Sequence, residues 1–441
     1  MRSIVVASIF ALIAVAYPAP APAAAQGPEQ APPTPRPVDP VKVVAEVRRR
    51  IAENYVLPER RPALDKVLAD GISSGRYRVK DPARLAALIN EDLARIGQDG
   101  HLSFSFDPQR PPIPPPGPMP ASAMKEMEAR ARAANHGVRA LRLLPGNVRY
   151  LDLALFEAAG DESQAAHEAA MKFLAGGDAV IIDLRHTPGG SSAAVQYFAS
   201  HFIEPGRPLV TFKRAGHPDE LVHSLPDLPH RMIGKPLYVL TSPGSASAAE
   251  EFVGHVTGFK VGEVVGETTA GAAFNNQLFD IPGGFLLSVS FGRPVLASTG
   301  KDWEKVGIAP TIPAPTLHAL EAAHAHALRR LAAEAPPDRK AQLEAMAEAV
   351  AAKAAALKPA LSPPAYAGRY SRAAIELDDG RLYYRQEGRA PLRMIALGGN
   401  RFALEDNPAV RLDFAAEGSA VTAFEFRRVG GPVLARHDRA K

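Results

Sequence analysis

From Val138 onward strands alternate with helices: short runs of consecutive apolar residues, turns rich in Gly, Ser or Pro, and stretches with apolar residues at helical spacing, without an internal sequence repeat. "VRYLDL" (Val148 to Leu153) precedes a predicted helix opening at Asp161 and closing near Gly176, and "AVIIDLR" (Ala179 to Arg185) precedes one from Ser192 to His201. "PLYVL" precedes one from Ala248 to Thr257, and "VGEVVGET" and "FLLSVSF" follow as further strands. Strands that are apolar without alternation are buried on both faces, and this argues for an α/β sheet core. At 441 residues and 46% hydrophobic content the chain buries a full core and divides into two or three units.

The flanks have different textures. Residues 1–25 read as a secretory signal, with Arg2, the apolar stretch Ile4 to Ala16, and small residues ending Ala23-Ala24-Ala25; residues 26–40 are a Pro-rich leader. "VKVVAEVRRRIAENYV" and "DPARLAALINEDLARIG" carry helical periodicity, which predicts an N-terminal helical domain over 41–107. "PQRPPIPPPGPMP" then opens a linker at 108–136, and the core occupies 137–315. The Ala-rich stretch 316–360, broken at Pro336-Pro337, reads as a helical hairpin or connector. In 361–441, "IELDDGRLYYR" sets Asp379-Gly380 between alternating runs, a hairpin signal that predicts a small antiparallel β domain, sheet or barrel.

Composition excludes several classes of chemistry. With no cysteine there is no thiol catalysis and no disulfide, and no lipid anchor at the expected cut after Ala25. The formal charge of +4 is interspersed rather than clustered, so no nucleic-acid partner is expected. The first apolar stretch is too short for stable membrane insertion, which predicts a periplasmic or secreted protein. Histidines and carboxylates show no HExxH or comparable spacing, and neither a metal nor an organic cofactor is expected.

The chemistry-bearing stretch is "TSPGSASAAEEF", Thr241 to Phe252. Ser247 with Glu250 is an S-x-x-E capping box, the ordinary start of a helix. Its position adds a second meaning, because the end of a buried strand at a helix N-terminus is where ligands bind in open α/β folds and where the dipole favours developing negative charge. "DLRHTPGG", Asp183 to Gly190, also follows a buried strand, and paired glycines let backbone N–H groups approach an oxyanion. A serine nucleophile needs a histidine or lysine base. His101 stands out in "IGQDGHLSFSF", a glycine-marked turn entering an alternating strand, whereas no lysine occurs between Lys260 and Lys301.

"LTSPGSASAAEEF", "VGEVVGETTAGAA" and "KDWEKVGIAP", with "NYV" at Asn54, "DGH" at Asp99, "LPGNVRYLDL" and "DLRHTPGG", resemble the C-terminal processing (tail-specific) serine peptidase family over roughly Val41 to Pro315. The branch it resembles holds tricorn core protease and interphotoreceptor retinoid-binding protein. That resemblance implies a ClpP/crotonase-like core with Ser247 as nucleophile. The family's lysine-dyad branch places its base where this chain has Ala272; the tricorn-like branch implies His101 as base and Glu304 as its supporting acid. Oxyanion donors would be the N–H of Ala248 and of Gly189 or Gly190. Gly100 stands where tricorn has a serine linking histidine to glutamate, so Glu304 is expected to act through water or not at all. Ala248 replaces an aspartate that favours basic substrate side chains, Thr311 replaces the usual aspartate after the proline turn, and Pro120 to Val138 leaves no room for a PDZ domain.

The resulting expectation is a serine endopeptidase acting on peptides or unfolded proteins through an acyl-enzyme on Ser247. Two other readings remain open at this level: a non-catalytic carrier of apolar ligands or peptides on the same fold, and an esterase using the same serine and histidine.

Overall fold

The computed structural model describes residues 38–113, 119–158 and 160–440. The expected signal segment and nearly all of the Pro-rich leader lie outside them. Helix α1 (Pro40–Asn54) starts where the Asp39 side chain accepts the Val41 N–H at 3.0 Å. Pro40 opens it, where a missing N–H costs nothing. Helices α2 (Arg61–Ser73) and α3 (Pro82–Gly97) follow, the latter capped by Asp81 in the same way. The chain then passes through Asp99-Gly100-His101 into strand β1 (Ser103–Phe106).

Residues 121–133, assigned to the linker by sequence, form helix α4 (Ala121–Ala133). "ASAMKEMEARARA" is built of strong helix formers, so the extended character ends with the prolines. Beyond α4 a single 3₁₀ turn leads to Val138, and no further module stands between them.

The core alternates as expected: β2 (Val138–Leu144), β3 (Val148–Leu153), α5 (Gly160–Ala175), β4 (Ala179–Asp183), α6 (Ser192–Ser200), β5 (Pro208–Arg214), β6 (Glu220–His223), β7 (Leu237–Thr241), α7 (Ala248–Phe259), β8 (Glu263–Gly266), β9 (Asn275–Ile281), β10 (Phe285–Leu296) and β11 (Ile312–Pro313). One sheet has the order β11-β8-β7-β4-β3-β2, parallel except for β2 at its edge. Strands β4 and β7 are buried at every position, as their unbroken apolar runs require. Helices α5, α6 and α7 pack on one face through Met171, Leu174, Phe198, Phe252 and Val253.

The other face is covered by α8 (Ala319–Glu334) and α9 (Pro337–Ala354). Ala323, Ala327, Leu328 and Leu343 meet Tyr150, Ile181, Leu240 and Val265 there. The stretch read as a helical hairpin or connector is thus a pair of helices that forms the second helical layer of the core. Its alanines carry a weak apolar signal because they are small and appear on buried and exposed faces alike.

A second, antiparallel sheet has the order β1-β10-β5-β6, with β9 also on β10. Ser103 pairs with Ser288 and Phe106 with Phe285, and the N-terminal helices share one apolar cluster with Phe279, Leu287 and Trp303. The N-terminal helical unit is therefore docked on the core rather than packed around itself alone.

After the short α10 (Pro363–Tyr366) come β12 (Gly368–Tyr370), β13 (Ala373–Asp378), β14 (Arg381–Gln386), β15 (Leu392–Ala396), β16 (Arg401–Leu404), β17 (Asn407–Glu417), β18 (Ala420–Arg428) and β19 (Val433–Asp438), each antiparallel to the next. Tyr370 bridges Arg439, and Ala440 N–H donates to the Arg369 carbonyl at 2.9 Å, which joins the last strand to the first. Closure removes the free edges of an eight-stranded barrel. Tyr366, Tyr370, Tyr384, Phe402, Phe414 and Phe424 fill it. Among the described residues no helix is long and apolar enough to cross a membrane.

Candidate active site

Strand β7 delivers the chain to Ser242, and the next four residues form a turn pinned from several sides. Ser245 Oγ donates to the Leu184 carbonyl at 2.7 Å, and Ala246 N–H donates to the Thr187 carbonyl at 3.1 Å. Ser247 follows at φ 53° and ψ −118°, a conformation costly for a residue with a side chain. Such strain persists only when surrounding contacts over-determine it; here it sets a half-buried serine at the mouth of α7. The Ser247 N–H is held by Glu250 Oε2 at 2.9 Å, so the acid of the capping box is in place.

The glycine pair lies against this turn. Gly189 and Gly190 have φ 138° and 132°, and a Cβ on Gly189 would stand 2.8 Å from Ser247 Cβ. Phe156 N–H donates to the Gly189 carbonyl at 3.0 Å, and Ser191 N–H donates to the Phe156 carbonyl at 2.7 Å. This bridge leaves the Gly190 N–H unused and turned away from Phe156. Ala248, expected as the other donor, is the first residue of α7 and is buried.

His101 arrives from the other sheet. Asp99 accepts its N–H at 2.8 Å, Ser288 Oγ donates to its carbonyl at 2.6 Å, and β1 pairs with β10 immediately beyond. Its Nδ1 lies 3.4 Å from Glu304 Oε1, and the same oxygen accepts the Gly100 N–H at 3.0 Å. The expectation that Glu304 reaches His101 only through water therefore gives way to direct contact. Without a serine at position 100, the backbone N–H itself takes up the carboxylate, and a Cβ there would already stand 3.3 Å from it.

Two buried carboxylates join the halves. Glu250 accepts from Thr269 Oγ1 (2.6 Å), Gly271 N–H (2.7 Å) and Ala272 N–H (2.8 Å) as well as from Ser247. Glu304 Oε2 accepts the very next N–H groups, Ala273 at 2.8 Å and Phe274 at 3.1 Å. One loop, 271–274, thus ties the serine turn to the acid that holds His101. No hydrogen bond joins Ser247 Oγ directly to the His101 ring among the described residues. Burial acts to lower the His101 pKa, but the Glu304 hydrogen bond and charge, with Asp99 and Glu250 adding, outweigh it and raise it. Burial acts to raise Glu304, yet His101 and the Gly100 and Ala273 N–H groups hold it below the usual carboxylate range.

Sequence reasoning read Glu250 only as a cap and missed Asp99, Thr269 and Ser288. The available signal was "EE" at Glu250-Glu251 inside a helix that is apolar on every side, where acids must be buried and partnered. Asp99, His101 and Glu304 each offer one donor atom within 4.8 Å of the others. Asp99 Oδ1 accepts the His101 and Leu102 N–H groups and Glu304 makes four contacts, while the buried Asp99 Oδ2 has no partner among the described residues.

A serine at a helix N-terminus, beside a glycine turn and a His–Glu pair, is the kind of constellation that serine hydrolases use. Residues 147–314 match the model of peptidase family S41. Carboxy-terminal processing protease CtpB of Bacillus subtilis (strain 168) is 28% identical over 168 residues, 38% of this chain and 34% of that protein. Carboxyl-terminal-processing peptidase 3, chloroplastic, of Arabidopsis thaliana is 30% identical over 174 residues, 38% of this chain and 31% of that one. The chain spans about a third of the length of these curated relatives. Among solved structures, the photosystem II D1 C-terminal processing protease is 18% identical with a TM-score of 0.43, over 63% of this chain and 93% of that chain.

Proposed function

We propose that the protein is a periplasmic or secreted serine endopeptidase that cleaves peptides or unfolded proteins through an acyl-enzyme on Ser247. The observation that carries this reading is the His101–Glu304 pair tied to the Ser247 turn through loop 271–274. Glu304 on Nδ1 leaves Nε2 as the ring nitrogen for the serine. As substrate docks, Ser247 Oγ attacks the peptide carbonyl carbon, its proton passes to His101 Nε2, and the carbonyl π-electrons move to oxygen. The Ala248 N–H and the glycine-turn N–H, aided by the α7 dipole, stabilise that oxyanion. Collapse breaks the C–N bond and His101 hands its proton to the leaving amine. Water then repeats the sequence on the ester and frees Ser247.

The family match and the relatives named for carboxy-terminal processing support a peptidase, and the apolar N-terminal stretch supports export. The test treats the mature protein and its Ser247→Ala and His101→Ala variants with a fluorophosphonate probe, then follows casein and p-nitrophenyl acetate hydrolysis. Labelling and proteolysis lost together in Ser247→Ala support the peptidase. Ester turnover without proteolysis moves the assignment to an esterase, and a folded but unlabelled wild type moves it to a binding protein.

A further inference from the structure

Glycines that present an oxyanion-binding N–H have no side chain with which to anchor themselves. Gly189 and Gly190 sit in a turn whose position relative to Ser247 must come from its neighbours. On the upstream side the tie is Ala246 N–H to the Thr187 carbonyl at 3.1 Å, and Thr187 is itself fully buried with its hydroxyl on the Leu153 carbonyl. On the downstream side, two residues past Gly190, Ser192 Oγ donates to Glu251 Oε2 at 2.6 Å.

Glu251 is an unusual residue for that place. It lies one turn into α7, the helix headed by Ser247, and is 3% exposed. Its other oxygen is 3.7 Å from Nε2 of His255, which is fully buried and among the described residues has no hydrogen-bond partner on either ring nitrogen. A carboxylate is costly in such surroundings, and an apolar residue of similar size would pack there at no electrostatic cost. Glu250 beside it already supplies the cap, so helix capping does not explain Glu251.

We infer that Glu251 is a positioning residue for the oxyanion-binding turn: through Ser192 it locks the Gly189-Gly190 segment to the helix that carries the nucleophile. This rests on the serine-hydrolase reading of Ser247. Donors to an oxyanion act only when they lie close to where the charge develops, so a turn released on one side loses transition-state binding and leaves substrate binding intact.

The experiment compares Ser192→Ala, Glu251→Leu and Glu251→Gln with wild type, using p-nitrophenyl acetate kinetics and the inhibition constant of a peptidyl aldehyde. Ser192→Ala and Glu251→Leu should each lower kcat by about tenfold at unchanged KM, less than the hundredfold or more for losing a donor itself. Aldehyde binding should weaken by the same factor, since its adduct carries the oxyanion. The Ser192→Ala/Glu251→Leu double variant should be no worse than either single, and Glu251→Gln, which keeps an acceptor oxygen, should recover most of kcat. Unchanged kcat in folded Ser192→Ala, additive losses in the double variant, or a rise in KM alone would overturn the inference. Fluorophosphonate labelling of wild type, absent in Ser247→Ala, separately verifies the reading beneath it; its failure removes the site itself, whereas its success with unchanged variants removes only the role of Glu251.

Discussion

The site edge of the core sheet and the C-terminal barrel both depend on glycines with positive φ, but for opposite reasons. Around Ser247 the glycines are crowded: a Cβ on Gly189 meets Ser247, and one on Gly190 would stand 2.3 Å from the Phe156 carbonyl oxygen. In the barrel, Gly380, Gly388 and Gly418 have φ of 70°, 71° and 60°, and a Cβ on any of them meets nothing within 4 Å. The barrel glycines only reverse the chain between strands, whereas those at the site also keep side chains out of a contact. Polar groups divide in the same way. The barrel interior is aromatic, while beneath Ser247 the carboxylates of Glu250, Glu251 and Glu304 are buried and bonded. At Ser247 a strained backbone and several buried, bonded carboxylates coincide, and that coincidence makes the turn a candidate functional site.

The sharpest test of this contrast is Ser247→Ala. It should reduce kcat/KM on casein by a factor on the order of 10⁴ or more, with thermal stability little changed because alanine keeps the Cβ and with it the backbone strain. Activity within tenfold of wild type would make the crowded turn a structural feature like those of the barrel. Next, Gly189→Ala should cost about a hundredfold or more in kcat, because the new methyl group forces the turn away from Ser247. Retained turnover would show that neither N–H of the pair serves the oxyanion.

Glu304→Gln should lower kcat/KM by about a hundredfold at neutral pH, by removing the negative charge that stabilises His101 as it takes up the proton. It should also move the pH profile. The base works unprotonated, so activity in the wild type is lost as pH falls through the raised His101 pKa. Without the Glu304 charge, burial pulls that pKa down, and the acidic limb of kcat/KM shifts to lower pH. An unmoved limb would uncouple the two residues. The smallest effect is expected from Gly418→Ala in the barrel: activity unchanged and stability lower by about 1 kcal/mol, the cost of a side chain at positive φ in open space. A loss of proteolysis there at constant ester turnover would give the barrel a part in handling protein substrates.

Much of this was legible in local sequence. The strand–turn–helix units of the core, the Asp379-Gly380 hairpin and the break at Pro336-Pro337 follow from periodicity and turn chemistry, which act over a few residues. Ser247 and the glycine pair were visible because each stands at a strand end. Helix α4 was lost to the prolines before it, and α8 and α9 were legible as a helical hairpin or connector but not as a layer of the core, because alanine says little about which face is buried. His101 could be nominated from its turn, but its place could not be derived.

What the sequence determined by itself is the class of core, the strand ends that bear Ser247 and Gly189-Gly190, and the absence of thiol chemistry. The tertiary structure alone decided that His101 reaches Glu304, that Gly100 serves that contact through its backbone, that Glu250 and Glu304 grip adjacent N–H groups of one loop, and that Glu251 meets Ser192. These contacts join residues from about twenty to two hundred positions apart, and a long-range contact depends on strand register and helix packing summed over the whole fold, which no local pattern encodes.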